Sequence, residues 1–312
     1  MANQTSHLGT VVIGGGTGFI GTALSNTLKR KGYDVLTVSR KLGPYRITWG
    51  ELNSKGLPES TTAVVNLAGQ NVLDPMRRWT EGFKQNVWAS RVNTTQYLAQ
   101  AIKEAPVKPK VFVSASGVGY YPCGKDEEFD EEGPGGDFDF LSRLCSDWEN
   151  AANLPHDLGV RTVKVKTGVV LGRDGGMIQQ LIFPFFMGFG GPVGSGEQMM
   201  PWIHIQDIVG LFIHAIETDN VTGVVNGVAP QIITNRDFAK AFGRAMWRPS
   251  FVPLPTFVVN MMFGEERAKI MTEGQKVVPA KALDTGYTFK YPDITKACTE
   301  FSRLINIDRT DS

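Results

Sequence analysis

The chain has 312 residues, 42% hydrophobic and 20% charged, with a net charge of +1. That is the balance of a globular chain long enough to bury a large core, and near-neutrality gives no reason to expect nucleic acid or a membrane as partner. Three scattered cysteines without a CxxC, and four histidines without HxxxH spacing, argue against a disulfide framework and a metal site. The first residues, MANQTSHLGTVVIGG, lack a basic region followed by an apolar one. The expected compartment is the cytoplasm, with mitochondrial import left open.

In chain order, TVVIGG (10–15) reads as a buried strand and 17–31 as a helix. Lys29, Arg30 and Lys31 followed by Gly32 are a helix stop. YDVLTVS (33–39), AVVNLAG (63–69), KVFVSASG (110–117) and VRTVKVKTGVVLG (160–172) read as further strands, with helices over 84–104 and 141–154. This alternation predicts an α/β fold, a Rossmann-type doubly wound parallel sheet over residues 10–226. The acidic run DEEFDEE (126–132) reads as a solvated loop or as a flap over the site. Residues 178–194 are apolar but broken by Pro184, Gly188, Gly190 and Gly191, too short to span a membrane. Within a substrate-side excursion over 175–203, they read as a pocket rim or as a subunit contact, which would make a homodimer. Beyond residue 225 the pattern changes, predicting a smaller C-terminal substrate-side subdomain over 250–300, with GYTFKYP (286–292) as a half-buried strand.

GGGTGFIG (14–21) lies between the first strand and first helix and satisfies both GxGxxG and GxxGxxG. Glycines there permit a tight turn, and backbone N–H groups at the helix start can receive a pyrophosphate. Gly15, Thr17, Gly18, Phe19, Ile20 and Gly21 are the expected contacts. An NAD site usually places an acid at the end of the next strand; here stand Ser39, Arg40 and Lys41. A guanidinium and a hydroxyl suit a 2′-phosphate, so NADP(H) is the expected cofactor. Leu67, Ala68 and Gly69 end the following strand with small groups that let a nucleotide approach. Asn86 and Arg91 sit roughly 140° apart on a helix and can border the site only from its flanks. Tyr120 and Tyr121, just past a strand end, are candidate proton donors or aromatic pocket wall. No GxSxG occurs.

These motifs, with SRVNTTQYL (90–98), GGDFDFLSRLCSDWE (135–149), TGVVLG (167–172) and GGPVGSGEQMMPWIHIQD (190–207), resemble the extended and atypical short-chain dehydrogenase/reductase families. The chain is most similar to the epimerase-like family 39U, which carries an uncharacterised C-terminal domain. The resemblance implies a Rossmann-type fold and NADP(H). It puts Ser39 and Arg40 at the 2′-phosphate, Leu67 and Ala68 along the cofactor, Asn86 and Arg91 on its flank, and Val170 near the nicotinamide. It gives Ser116 to the reacting oxygen with Tyr120 four residues on, and His204 and Asp207 to the domain interior. The departure is on the helix that should carry YxxxK: Leu141 stands for the tyrosine and Cys145 for the lysine. Two functions follow. One is an NADP(H)-dependent oxidoreductase or epimerase of atypical chemistry acting on an unidentified small molecule through Ser116 and Tyr120 or Tyr121. The other is a non-enzymatic NADP(H)-binding redox sensor or scaffold.

Overall fold

A computed structural model describes residues 8–302. Strand β1 (Thr10–Gly14) is buried along its whole length, as a run of β-branched residues in the middle of a parallel sheet must be. Helix α1 (Phe19–Lys31) follows and ends at Gly32, whose φ of 97° places its N–H against the carbonyls of Leu28 and Lys29. Leu24 and Leu28 are fully buried on its inner face, about 1.5–3 kcal/mol each.

The chain then makes β2 (Asp34–Ser39), β3 (Arg46–Thr48), α2 (Trp49–Lys55), β4 (Thr61–Asn66), α3 (Glu81–Glu104) and β5 (Val111–Gly117). A short strand β6 (Glu128–Phe129), α4 (Phe140–Ala151), β7 (Arg161–Thr167), β8 (Val169–Gly172), α5 (Gly176–Phe186), β9 (Trp202–His204), α6 (Ile205–Glu217) and β10 (Gly223–Gly227) come next. The seven-stranded sheet runs in the order β10-β7-β5-β4-β1-β2-β3, every pairing parallel. The chain leaves β1 toward β2 and returns to β4 on its other side. That reversal opens a crevice at the strands' carboxyl ends, where such sheets bind ligands. The predicted α/β, Rossmann-type sheet is the one observed.

The remainder comprises α7 (Asn235–Ala245), α8 (Thr256–Phe263), α9 (Glu265–Thr272), β11 (Lys276–Val277), α10 (Ala280–Asp284) and α11 (Ile294–Phe301).

Three expectations change. The strand expected over 160–172 is two strands: the Gly168 N–H still donates to Gly227 but the Val169 N–H donates to Pro201, so β8 leaves the main sheet and pairs with β9. GYTFKYP is not a strand: the N–H groups of Lys290 and Tyr291 donate to the buried Asp207 carboxylate at 2.7 and 2.8 Å, replacing any strand partner. The acidic run is not simply solvated. Phe129 is buried, β6 pairs with β11, and the Glu131 carboxylate accepts from the N–H groups of Asn226 and Lys281.

Candidate functional site

The glycine loop is shaped by contacts with the next crossover. Gly15 has φ 76°, and a Cβ there would fall 2.7 Å from the Leu67–Ala68 backbone. A Cβ on Gly21 would meet the Gly15 carbonyl oxygen at 2.4 Å, so α1 can sit against the loop only with glycine at that position. Gly18 differs. Its φ of −77° suits any residue, and a Cβ would meet only the Gly15 oxygen, at 3.4 Å. Gly18 and Thr17 are exposed, and no side chain caps α1. The first-turn N–H groups therefore face an open edge with positive dipole character. Of the expected contacts, the Phe19 side chain turns elsewhere: its ring lies against Gly172, Gly175 and Gly176, locking the loop to the turn between β8 and α5. Ile20 packs into the main core.

At the end of β2, Ser39 is buried and its hydroxyl donates to the Lys41 carbonyl at 2.6 Å, folding the turn back. Arg40 and Lys41 project into solvent beside the glycine loop. At the end of β4, fully buried Asn66 accepts from the Ala68 N–H at 3.0 Å and donates to Thr95 at 2.7 Å. The Leu67 N–H donates to the Gly14 carbonyl at 2.8 Å, so the two strand ends form one floor. Asn86 is exposed on α3. Arg91 is half-buried: its guanidinium donates to the Gln70 and Val87 carbonyls, lies over Trp148 and presses on Gly69, shaping the loop after β4. Burial pulls its pKa down to about 10. Val170 is half-buried on β8, opposite Ile203.

The β5 side is different. Leu141 and Cys145 face the turn after β5, as the missing YxxxK pair would. The Cys145 Sγ lies 3.4 Å from where a Cβ of Gly117 would be, and Leu141 is 3.5 Å from the same point on Gly119. Burial, with the nearby Glu149 charge, pushes the Cys145 thiol up to about 12, so it stays protonated. Below them Ser116, 3% exposed, donates to Glu149 at 2.8 Å, and Lys166, 2% exposed, lies 3.5 Å from the same carboxylate. Burial lowers the Lys166 pKa, with Glu149 opposing that shift.

Ser116, expected at the reacting oxygen, thus donates its proton to Glu149. Tyr121 is likewise bonded within the chain. It is 1% exposed, donates to Asn226 at 2.9 Å, stacks on Phe129, and has its pKa raised chiefly by burial. Tyr120 alone of the three stays half-buried. Its ring lies over the Lys166 ammonium at 3.6 Å and against Gly135, where a Cβ would clash.

The C-terminal part closes on this side, through residues the sequence did not single out. Arg267, 1% exposed, donates to the carbonyls of Val72, Asp74 and Arg77 in the loop after β4. Glu266 binds Trp79 Nε1 at 2.8 Å and Lys84 at 2.6 Å. No spacing rule marks an arginine bound to three carbonyls, so these contacts had no sequence signal. Next to them a cleft of about 420 Å³ is lined by Glu81, Lys84, Gln85, Trp88, Ala89 and Phe140. Fully buried His204 accepts from the Gln206 N–H and lies between Tyr291 and Phe301, an interior histidine. No group of three or more metal-ligating side chains occurs among the described residues.

Comparison with known proteins places these observations. Residues 11–226 match the NAD dependent epimerase/dehydratase family, and residues 254–301 match a domain of unknown function, DUF1731. A human protein named epimerase family protein SDR39U1 is 52% identical over 290 residues, covering 93% of this chain and 98% of the relative. Its crystal structure with NADPH superposes with a TM-score of 0.93 over 95% of this chain and 100% of that one. An Arabidopsis thaliana homolog described as chloroplastic is 36% identical, covering 95% of this chain and 87% of the relative. A UDP-N-acetylglucosamine 4-epimerase from Bacillus cereus shares the fold at a TM-score of 0.74 and 17% identity, over 94% of this chain and 98% of that one.

Proposed function

Since the chain belongs to the NAD dependent epimerase/dehydratase family, we propose that it is an NADP(H)-dependent oxidoreductase of atypical chemistry acting on a small molecule. One observation carries the reading: an uncapped helix start behind the glycine loop, with Arg40 and Lys41 exposed at the neighbouring strand end. Gly18 and the first turn of α1 would hold the pyrophosphate, Arg40 the 2′-phosphate, and Leu67–Gly69 the floor. The human relative's crystal structure with NADPH supports that assignment. When bound, such a cofactor supplies or accepts a hydride.

The chain's own part is the proton, and Tyr120 is the residue proposed to carry it. Ser116, Glu149 and Lys166 hold the floor beneath its ring rather than exchanging protons with substrate. NADPH oxidation against a broad metabolite panel finds the substrate. Tyr120→Phe should then lower kcat by roughly 10²–10⁴, the contribution of a positioned general acid. Full kcat in that variant contradicts the assignment.

The second reading, a redox sensor or scaffold, draws on Leu141 and Cys145, which stand where the resemblance expects the tyrosine and lysine, with burial pushing the Cys145 thiol up to about 12. It replaces the first if NADPH binds, no substrate turns over, and binding changes the association state. The cytoplasm is the proposed compartment. The Arabidopsis relative's description is the reason to test organelle import by fractionation.

A further inference from the structure

Large apolar side chains stand exposed on α5, on α8 and on the segments flanking them. Trp247, Phe251, Phe257, Phe183 and Phe189 are 89%, 77%, 70%, 69% and 68% exposed. At 150–250 Å² per aromatic side chain, these five alone present on the order of 550–950 Å², at or above the largest patch of a typical monomer. Phe189 and Phe251 share one region, because residues 186–194 and 248–254 run side by side, and Phe183, Trp247 and Phe257 flank those two segments along the chain. Arg248 Nε donates to the Phe186 carbonyl at 2.7 Å and its guanidinium lies over the Phe186 ring. The N–H groups of Val252 and Leu254 donate to the carbonyls of Gly190 and Pro192. Trp247 takes a left-handed φ of 55°, uncommon for a bulky residue, and its indole stands in solvent.

Charge separates this face from the rest of a near-neutral chain. Residues 175–196 carry no charged side chain, and residues 238–264 carry Lys240, Arg244 and Arg248 with no acid. The acids at the rim are mostly engaged: Asp237 caps α7, Glu197 pairs with Arg236 at 2.7 Å and Glu266 with Lys84. Glu265 lies beyond α8, in the first turn of α9. Aromatic side chains next to cations, without intervening acids, match the apolar boundary and anionic headgroups of a bilayer surface. Among the described residues no helix is long and apolar enough to cross a membrane, so the face would lie on the surface.

We infer that this face docks the protein on a bilayer carrying anionic lipid, with the aromatic side chains at the headgroup boundary and Lys240 and Arg244 against the phosphates. Three of the chain's 32 lysines and arginines lie in this acid-free stretch, which the overall charge of +1 does not reveal. The inference is independent of the catalytic reading.

The test is flotation of the full chain with vesicles of phosphatidylcholine, alone or mixed with phosphatidylglycerol. The protein should float with the mixed vesicles and less with the neutral ones, and added salt should release it. Trp247→Ser/Phe251→Ser/Phe257→Ser should weaken partitioning at least tenfold, and Lys240→Gln/Arg244→Gln by about fivefold per cation. NADPH affinity, measured by calorimetry, should stay unchanged in both and so report on folding. No flotation with mixed vesicles overturns the inference, as does equal flotation of the parent and the aromatic variant. A concentration-dependent dimer in sedimentation that the aromatic substitutions dissolve also overturns it, assigning the face to a second copy.

Discussion

The two halves of the crevice treat their polar groups in opposite ways. At the β1–β2 edge, α1 has no side-chain cap, Gly18 is open, and Arg40 and Lys41 reach solvent. At the β5–β7 edge, Ser116 is bonded to Glu149, Glu149 is paired with Lys166, and Tyr121 is bonded to Asn226. The first edge keeps donors for something outside the chain, while the second spends them within it. A nucleotide-binding half has been kept beside a half whose customary proton donor has become packing. Tyr120 is the half-buried aromatic whose ring lies over Lys166 on the second edge.

The comparison breaks most visibly at the glycines. Gly15→Val and Gly18→Val should both abolish NADPH binding, but only the first should destabilise the fold. Gly15 has a positive φ and backbone 2.7 Å from its Cβ position, whereas Gly18 has neither constraint. Calorimetry and thermal melts on both variants check this. Undiminished binding in Gly18→Val would place the nucleotide elsewhere.

On the closed edge, Lys166→Met leaves the Glu149 carboxylate, 8% exposed, without its cation. Breaking a buried pair in this way costs about 3–5 kcal/mol. Urea denaturation of variant and parent measures the deficit, and a variant as stable as the parent would dissolve the pairing argument.

A smaller effect concerns the thiols. Burial puts Cys145 at about 12 in the folded chain, above an unfolded thiol at about 8.5. Its contribution to stability is therefore intact below the unfolded value and lost as pH climbs toward 12. Near pH 8, iodoacetamide should modify exposed Cys123, itself raised to about 11, before buried Cys145. Mass spectrometry showing Cys145 modified first would mean that α4 does not seal this edge.

The open edge was far more legible in sequence than the closed one. Glycine spacing and a basic strand end are local signals, because turn geometry and helix dipoles act over a few residues. Leu141 and Cys145 were legible as absences only through the resemblance to the short-chain dehydrogenase/reductase families, whose YxxxK pair would stand there. What replaced them was not, since Ser116, Glu149 and Lys166 meet only when α4 and β7 pack around β5. The contacts of Arg91 were not legible, because a helix position shows which way a side chain leaves the axis but not that loop carbonyls will receive it. GYTFKYP misled because alternating aromatics imply a buried face, and Asp207 supplied the backbone bonds that a neighbouring strand would have given.

The central claim is that the open edge is built for a phosphorylated dinucleotide, and calorimetric titration with NADPH and NADH tests it most directly. A charge-assisted contact of roughly 1.5–3 kcal/mol predicts NADPH tighter by about ten- to a hundredfold. Arg40→Ala should remove most of that preference while leaving NADH binding unchanged. Equal affinity for the two cofactors in the unmutated protein would contradict the account.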